Sequence, residues 1–257
     1  MSKLDVLAIG PHPDDVELAC GGTLALAASQ GRRVGILHLT RGERGTRGTA
    51  EQRLAEAERA AAALGAVELA FLDCGDGALR GGEPEEDAVI EVLRTWRPEL
   101  VLGPPPHDRH PDHARGHQLV AAAAFYSGLQ ARGDRTMAAH RPAAVFSYMQ
   151  HHSFEPSFVV DVTGAWEAKM AALAAYRSQL YQPDAAGGGV ADKAAGAAGV
   201  APGPPATKVS SREFRLAVEG RARHFGQLIG AELGEPFWSP LPLAVRDLLA
   251  LLPGGPR

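Results

Sequence analysis

Leu4-Asp5-Val6-Leu7-Ala8-Ile9-Gly10-Pro11-His12-Pro13-Asp14-Asp15-Val16-Glu17-Leu18 opens as an apolar run, breaks at Gly-Pro and runs on into a helix-like segment. A short apolar run closed by glycine reads as a buried strand, and Pro and Asp at the break mark the mouth of a helix. The spacing predicts a strand over 4–10 and a helix over 14–30, closed by Gly31. The same unit recurs downstream, with strands expected at 33–40, 67–73, 99–103, 143–149 and 157–162. Helices are expected at 51–64, 85–96, 112–129, 165–179 and 211–233. Strands alternating with long helices define an α/β fold of βαβ units. We expect a Rossmann-like, mainly parallel sheet of order 3-2-1-4-5 with helices on both faces, in three layers.

The bulk composition agrees. A chain of 257 residues, 45% hydrophobic and 22% charged, fits one large globular domain. A formal charge of −4 lacks the basic surplus of a nucleic-acid binder. Cys20 and Cys74 are too few for a disulfide framework, and no Cys-x-x-Cys pair is present. The first ten residues lack a signal-peptide pattern, and the longest apolar stretch, 119–126, is too short to span a bilayer. A cytoplasmic protein is expected. The segment 184–208 is almost wholly Gly, Ala and Pro and reads as a mobile surface loop. Residues 240–242 and 248–252 read as a tail packed on the domain.

Two segments carry the chemistry: Pro11-His12-Pro13-Asp14-Asp15 after the first strand, and His110-Pro111-Asp112-His113 after the fourth. In the expected order these strands are neighbours at the topological switch point, where ligands bind. Two imidazoles and a carboxylate, with a water, make a catalytic zinc site. His12, Asp15 and His113 fit that set, and Asp14 is free to act as a base. Helix capping by Asp is the competing explanation for one such segment. It explains two converging segments poorly.

These residues also carry a resemblance. Pro-His-Pro-Asp-Asp with Glu17 and Cys20-Gly21-Gly22-Thr23, and the later His-Pro-Asp-His, resembles the PIG-L/LmbE-like zinc deacetylases. Leu39 to Glu43, Gly45 to Thr49, Arg53 with Glu56-Ala57, Asp108-Arg109 and Glu219-x-Arg221-Ala222-Arg223 resemble their bacillithiol-biosynthesis branch. That branch deacetylates N-acetylglucosaminyl malate. The resemblance implies one Zn2+ per chain, with other divalent metals as substitutes, and a homo-oligomer, a hexamer. It makes His12, Asp15 and His113 the ligands and Asp14 the general base. It makes His110 the group that stabilises the oxyanion and Asp112 the carboxylate that keeps His110 oriented and charged. Arg53, Arg109 and Glu43 would face a small-molecule substrate. The 184–208 insertion and Pro104-Pro105-Pro106-His107 depart from the branch.

Other residues point less sharply. Cys20 reads as a small core residue, and His107 and His117 as neighbours of the metal histidines. His151 and His152 read as solvent-facing groups before a strand, with a place at the pocket rim as the alternative. Three rival functions share the motif chemistry. A related deacetylase or amidase would act on another N-acetylglucosaminyl compound or thiol conjugate. A non-haem iron oxygenase also uses two His and a carboxylate, but its usual all-β barrel is absent from this pattern. A metal-binding protein without turnover would show a closed site.

Overall fold

The computed structural model describes residues 3–182 and 205–247. Seven strands form one sheet: β1 Val6–Gly10, β2 Val34–His38, β3 Glu68–Phe71, β4 Leu100–Gly103, β5 Ala144–Tyr148, β6 Phe158–Asp161 and β7 Gly234–Trp238. Their order is β3-β2-β1-β4-β5-β7-β6. The first five are parallel and realise the expected 3-2-1-4-5 arrangement. β7 runs antiparallel to both β5 and β6.

Strand residues alternate between two cores, as a sheet covered on both faces requires. Ala8, Val34, Ile36 and Leu102 face the core under α1 Asp15–Ser29, α2 Ala50–Ala63 and α5 Trp166–Ala175. Leu7, Ile9, Leu37 and Val101 face the core under α3 Glu83–Trp96 and α4 Pro111–Tyr126. Leu7, Ile9 and Leu37 are fully buried, worth about 1.5–3 kcal/mol each. The sixth helix, α6 Arg212–Leu228, packs beside β7. No helix among the described residues is long and apolar enough to cross a membrane.

Three expectations need correction. β7 is not anticipated by the sequence pattern, because Gly-Glu-Pro-Phe-Trp lacks β-branched residues and carries a proline. It is tolerated because β7 shares only two paired positions with β5. The helix expected over 165–179 stops at Ala175, and Tyr176 to Leu180 turn so that Ser178 can bond Glu56. The described part of the tail is not packed, since Leu241, Leu243 and Val245 are all exposed. The 248–252 part lies outside the described residues, as does most of the 184–208 segment.

α1 is interrupted at Cys20, whose φ of −135° and ψ of 19° leave the helical region. The break frees N–H groups at Gly22 and Thr23, and the Glu235 carboxylate accepts both, at 3.0 and 2.7 Å. On the other side Lys169 Nζ donates to the freed Leu18 carbonyl at 3.0 Å and pairs with Glu235. A carboxylate thus sits at the start of the second half-helix and a cation at the end of the first, matching both half-helix dipoles. A side chain at position 22 would press Val162 Cβ at 2.9 Å and Glu235 at 3.0 Å, which explains the glycine. Cys20 itself is buried in the core.

Candidate active site

All the chemistry sits at the carboxyl ends of the parallel strands, around a cavity of about 230 Å3. His12, Asp14, Asp15, Arg53, His110 and His113 all line it. Both motif segments therefore meet at the β1–β4 switch point.

Asp14 is the N-cap of α1 by position, yet its carboxylate makes no capping bond. Its φ of 105° is in the left-handed region, a costly conformation for Asp that accumulates at functional sites. Capping chemistry therefore does not account for this residue. Burial pushes its pKa up to about 7, against the pull of Arg53, whose Nη2 lies 3.7 Å from Asp14 Oδ2.

Asp15 stands between the two outer histidines. Its Oδ2 is 3.1 Å from His12 Nδ1 and its Oδ1 is 3.3 Å from His113 Nε2. Ligand atoms at about 2.0–2.1 Å from a tetrahedral ion are separated by about 3.3–3.4 Å. The two Asp15 contacts are near that length but run through different carboxylate oxygens, so Asp15 presents one oxygen to each histidine, a donor chemistry suited to a divalent metal. Among the described residues, the groups whose donor atoms lie within 4.8 Å of one another are two others, His12, His110 and His113, and His12, Asp76 and Asp112. The carboxylates of the second group are already engaged, by Arg44 N–H at 2.9 Å and Gly77 N–H at 2.7 Å. In the first, His110 Nδ1 accepts the Asp112 N–H at 3.2 Å. Asp15 is engaged as well, by the His12 N–H at 2.9 Å and the Gln150 amide, but it is the carboxylate placed between both outer histidines, and we propose it with them as the ligand set.

Behind these groups a second ring of carboxylates fixes the imidazoles. Asp108 Oδ2 lies 2.5 Å from His113 Nδ1, leaving Nε2 to face Asp15. The other Asp108 oxygen accepts backbone N–H groups of Arg109 at 2.7 Å and His152 at 3.0 Å. Asp76 Oδ1 and Asp112 Oδ2 lie 3.2 and 3.4 Å from His12 Nε2, though neither pair has hydrogen-bond geometry. Carboxylates on the far nitrogen of a metal-binding histidine set its tautomer and basicity. Burial pulls both histidines down, but the acids outweigh it. His113 is raised to about 9, chiefly by Asp15 and Asp108, and His12 stands well above its ordinary value. Burial likewise raises Asp15, but His113 and His12 hold it well below the usual carboxylate range.

Three sequence-based roles change. Asp112 does not hold His110 through its carboxylate; its backbone N–H does so, while the carboxylate faces His12 and Arg115. His110 is moreover shifted down, by burial and by His12 and His113. Arg53 is no free fork for a substrate, because its guanidinium donates to the Gly42 carbonyl at 3.0 Å and the Pro13 carbonyl at 2.6 Å. Glu43 does not reach the cavity; it accepts from Asp76 N at 2.7 Å and Arg41 N at 3.2 Å, tying two loops together. Arg109 does line the cavity, at its exposed edge.

Of the remaining histidines, His151 stacks on His113 with centroids 5.9 Å apart, and burial holds it down at about 4. His117 is tethered to the Pro104 carbonyl at 3.1 Å and lies off this cavity. His107 and His152 line a separate cavity beside Trp238. Sequence reasoning missed Asp76 and Gln150, whose amide nitrogen donates to Asp15. Their signal was positional, since both follow the ends of parallel strands, β3 and β5.

Fold and site together define a Rossmann-like α/β protein with a histidine- and carboxylate-lined pocket at its switch point. The family model described as GlcNAc-PI de-N-acetylase matches residues 7–124. Diacetylchitobiose deacetylase of Thermococcus kodakarensis is 32% identical over 187 residues, covering 68% of this chain and 70% of that protein. A 1D-myo-inositol 2-acetamido-2-deoxy-alpha-D-glucopyranoside deacetylase of Rhodococcus opacus is 31% identical over 165 residues, covering 51% of this chain and 56% of that protein. The solved structure of the conserved protein TT1542 from Thermus thermophilus superposes with a TM-score of 0.81 at 34% identity, covering 95% and 98% of the two chains. The chain belongs to the PIG-L family of deacetylases.

Proposed function

We propose that this protein hydrolyses the acetamide of N-acetylglucosaminyl malate, giving acetate and glucosaminyl malate, as a zinc enzyme of bacillithiol biosynthesis. The observation that carries the deacetylase reading is Asp14, an uncapped carboxylate near pKa 7 beside the Asp15-bridged histidines. His12, Asp15 and His113 would hold the ion. The chemistry it supplies when bound is Lewis-acid polarisation of the acetyl carbonyl and a lowered pKa for the attacking water.

The protein's own groups supply the rest. Asp14 accepts the proton of the attacking water and returns it to the departing amine, a task suited to a pKa near the working pH. His110 donates to the oxyanion: Nδ1 is occupied by the Asp112 N–H, which places the proton of the neutral ring on Nε2. Asp108 keeps the His113 imidazole oriented through a hydrogen bond, and Asp76 and Asp112 face His12 Nε2 as charges. Arg53 holds the loop that presents Asp14. Arg109 meets the substrate at the rim.

The malate assignment rests on the branch motifs from Leu39 to Thr49 and in α6. Relatives named for N-acetylglucosamine-type substrates support the sugar half. The test is free-amine release from N-acetylglucosaminyl malate, diacetylchitobiose, N-acetylglucosaminyl inositol and N-acetylglucosamine. The malate compound should have the highest kcat/KM. A higher value for one of the others reassigns the substrate.

A further inference from the structure

The catalytic cavity is lined by acids and bases together, Asp14, Asp15 and Asp76 with Arg44, Arg53 and Arg109, and is small for a glycoside. A second cavity of about 310 Å3 shares Gln150 and His151 with it as a common wall. The ring of His151 spans the two, 5.9 Å from His113 on one side and 5.8 Å from Phe214 on the other. The annex differs in having cations alone. Lys208, Arg221 and His224 line it, and no Asp or Glu does. Its floor is apolar, formed by Phe214, Val218 and Phe225. Arg221 spends one N–H on the Leu18 carbonyl at 3.3 Å, and neither it nor Lys208 has an ion-pair partner among the described residues. Arg221 does feel the charges of Glu235 and Asp108 behind the pocket wall, but on a chain of net charge −4 a pocket lined by cations and no acid suits an anion.

We infer that this annex binds the aglycone of the substrate and that Lys208 and Arg221 select an anionic one, carrying carboxylate or phosphate. The inference rests on the deacetylase reading above and places the recognition of charge on Lys208 and Arg221. A guanidinium beside a flexible ammonium suits either oxyanion, and a charged hydrogen bond to such a group is worth roughly tenfold or more in selectivity.

The test uses metal-loaded protein at low salt and two matched substrate pairs. One pair is N-acetylglucosaminyl malate and its dimethyl ester; the other is the glycerol 3-phosphate glycoside and the glycerol glycoside of N-acetylglucosamine. Acetate release gives kcat/KM for each. Wild type should prefer the anionic member of at least one pair by roughly tenfold or more, and the pair concerned identifies the oxyanion. Lys208→Glu and Arg221→Gln should each bring that ratio most of the way to one. Lys208 is exposed, so its variant decides the matter if Arg221→Gln does not fold. Acetate release without charge preference in wild type, or a preference kept by the folded variants, overturns the inference alone. No release from any of the four compounds overturns the deacetylase reading and this inference with it.

Discussion

Arg53 Nη2 lies 3.7 Å from Asp14 Oδ2 and donates to the Pro13 carbonyl at 2.6 Å. One buried guanidinium therefore steadies both the carboxylate and the left-handed backbone that presents it. Burial raises Asp14 to about 7 and Arg53 opposes that rise. A base must be ionised to act, so activity falls as pH drops through its pKa. A bound divalent cation adds to the pull of Arg53, which places the acid limb of kcat/KM below about 7 in the metal-loaded protein. Arg53→Gln should move that limb to higher pH. An unmoved limb in a folded, metal-loaded variant would mean that Arg53 does not tune Asp14.

Asp14 and Asp15 are neighbours with different duties. Asp14→Asn should retain metal and fold while lowering kcat by roughly 10²–10⁴-fold, the usual range for a positioned base. Asp15→Asn should lose metal, because its two oxygens face His12 and His113 separately. Metal analysis beside steady-state kinetics checks both. The reverse pattern would exchange the two roles.

Asp108 touches His113 from behind, at 2.5 Å. Removing such a carboxylate typically weakens metal binding by roughly 10–100-fold. Asp108→Asn should show that loss in competition with a chromophoric chelator. Asn also keeps a side-chain oxygen for the N–H groups of His151 and His152, so the loop should hold its place. Unchanged metal affinity would reduce Asp108 to a loop anchor.

Glu235 and Lys169 are each 2% exposed and bind each other across the break in α1. Breaking a buried pair leaves an uncompensated charge and costs about 3–5 kcal/mol. Glu235→Ala should lose about that much in urea denaturation, since Gly22 and Thr23 also lose their acceptor. A loss below about 1 kcal/mol would show that the half-helices hold without the clamp.

The parallel half of the sheet was legible because each strand there is a compact apolar run ended by turn residues. The same ends located His12, Asp14, Asp15, His110 and His113, since a short motif at a strand terminus has few places to go. β7 was illegible because its stability comes from the neighbours it pairs with and from the Glu235 bonds, neither of which leaves a periodic signal. The partners of Arg53 were hidden for a related reason. Whether a guanidinium meets solvent or two backbone carbonyls depends on how the 40–49 loop folds back, and local composition is silent on that. Asp76 escaped notice in a glycine-rich turn, where an aspartate ordinarily serves the turn itself.

The central claim is that His12, Asp15 and His113 hold the ion on which hydrolysis depends. Metal content per chain, measured by mass spectrometry on wild type and on a His12→Ala, His113→Ala double variant, tests it most directly. The account predicts about one divalent ion per wild-type chain, removed by chelation, and almost none in a folded double variant. Full occupancy in that double variant would contradict it.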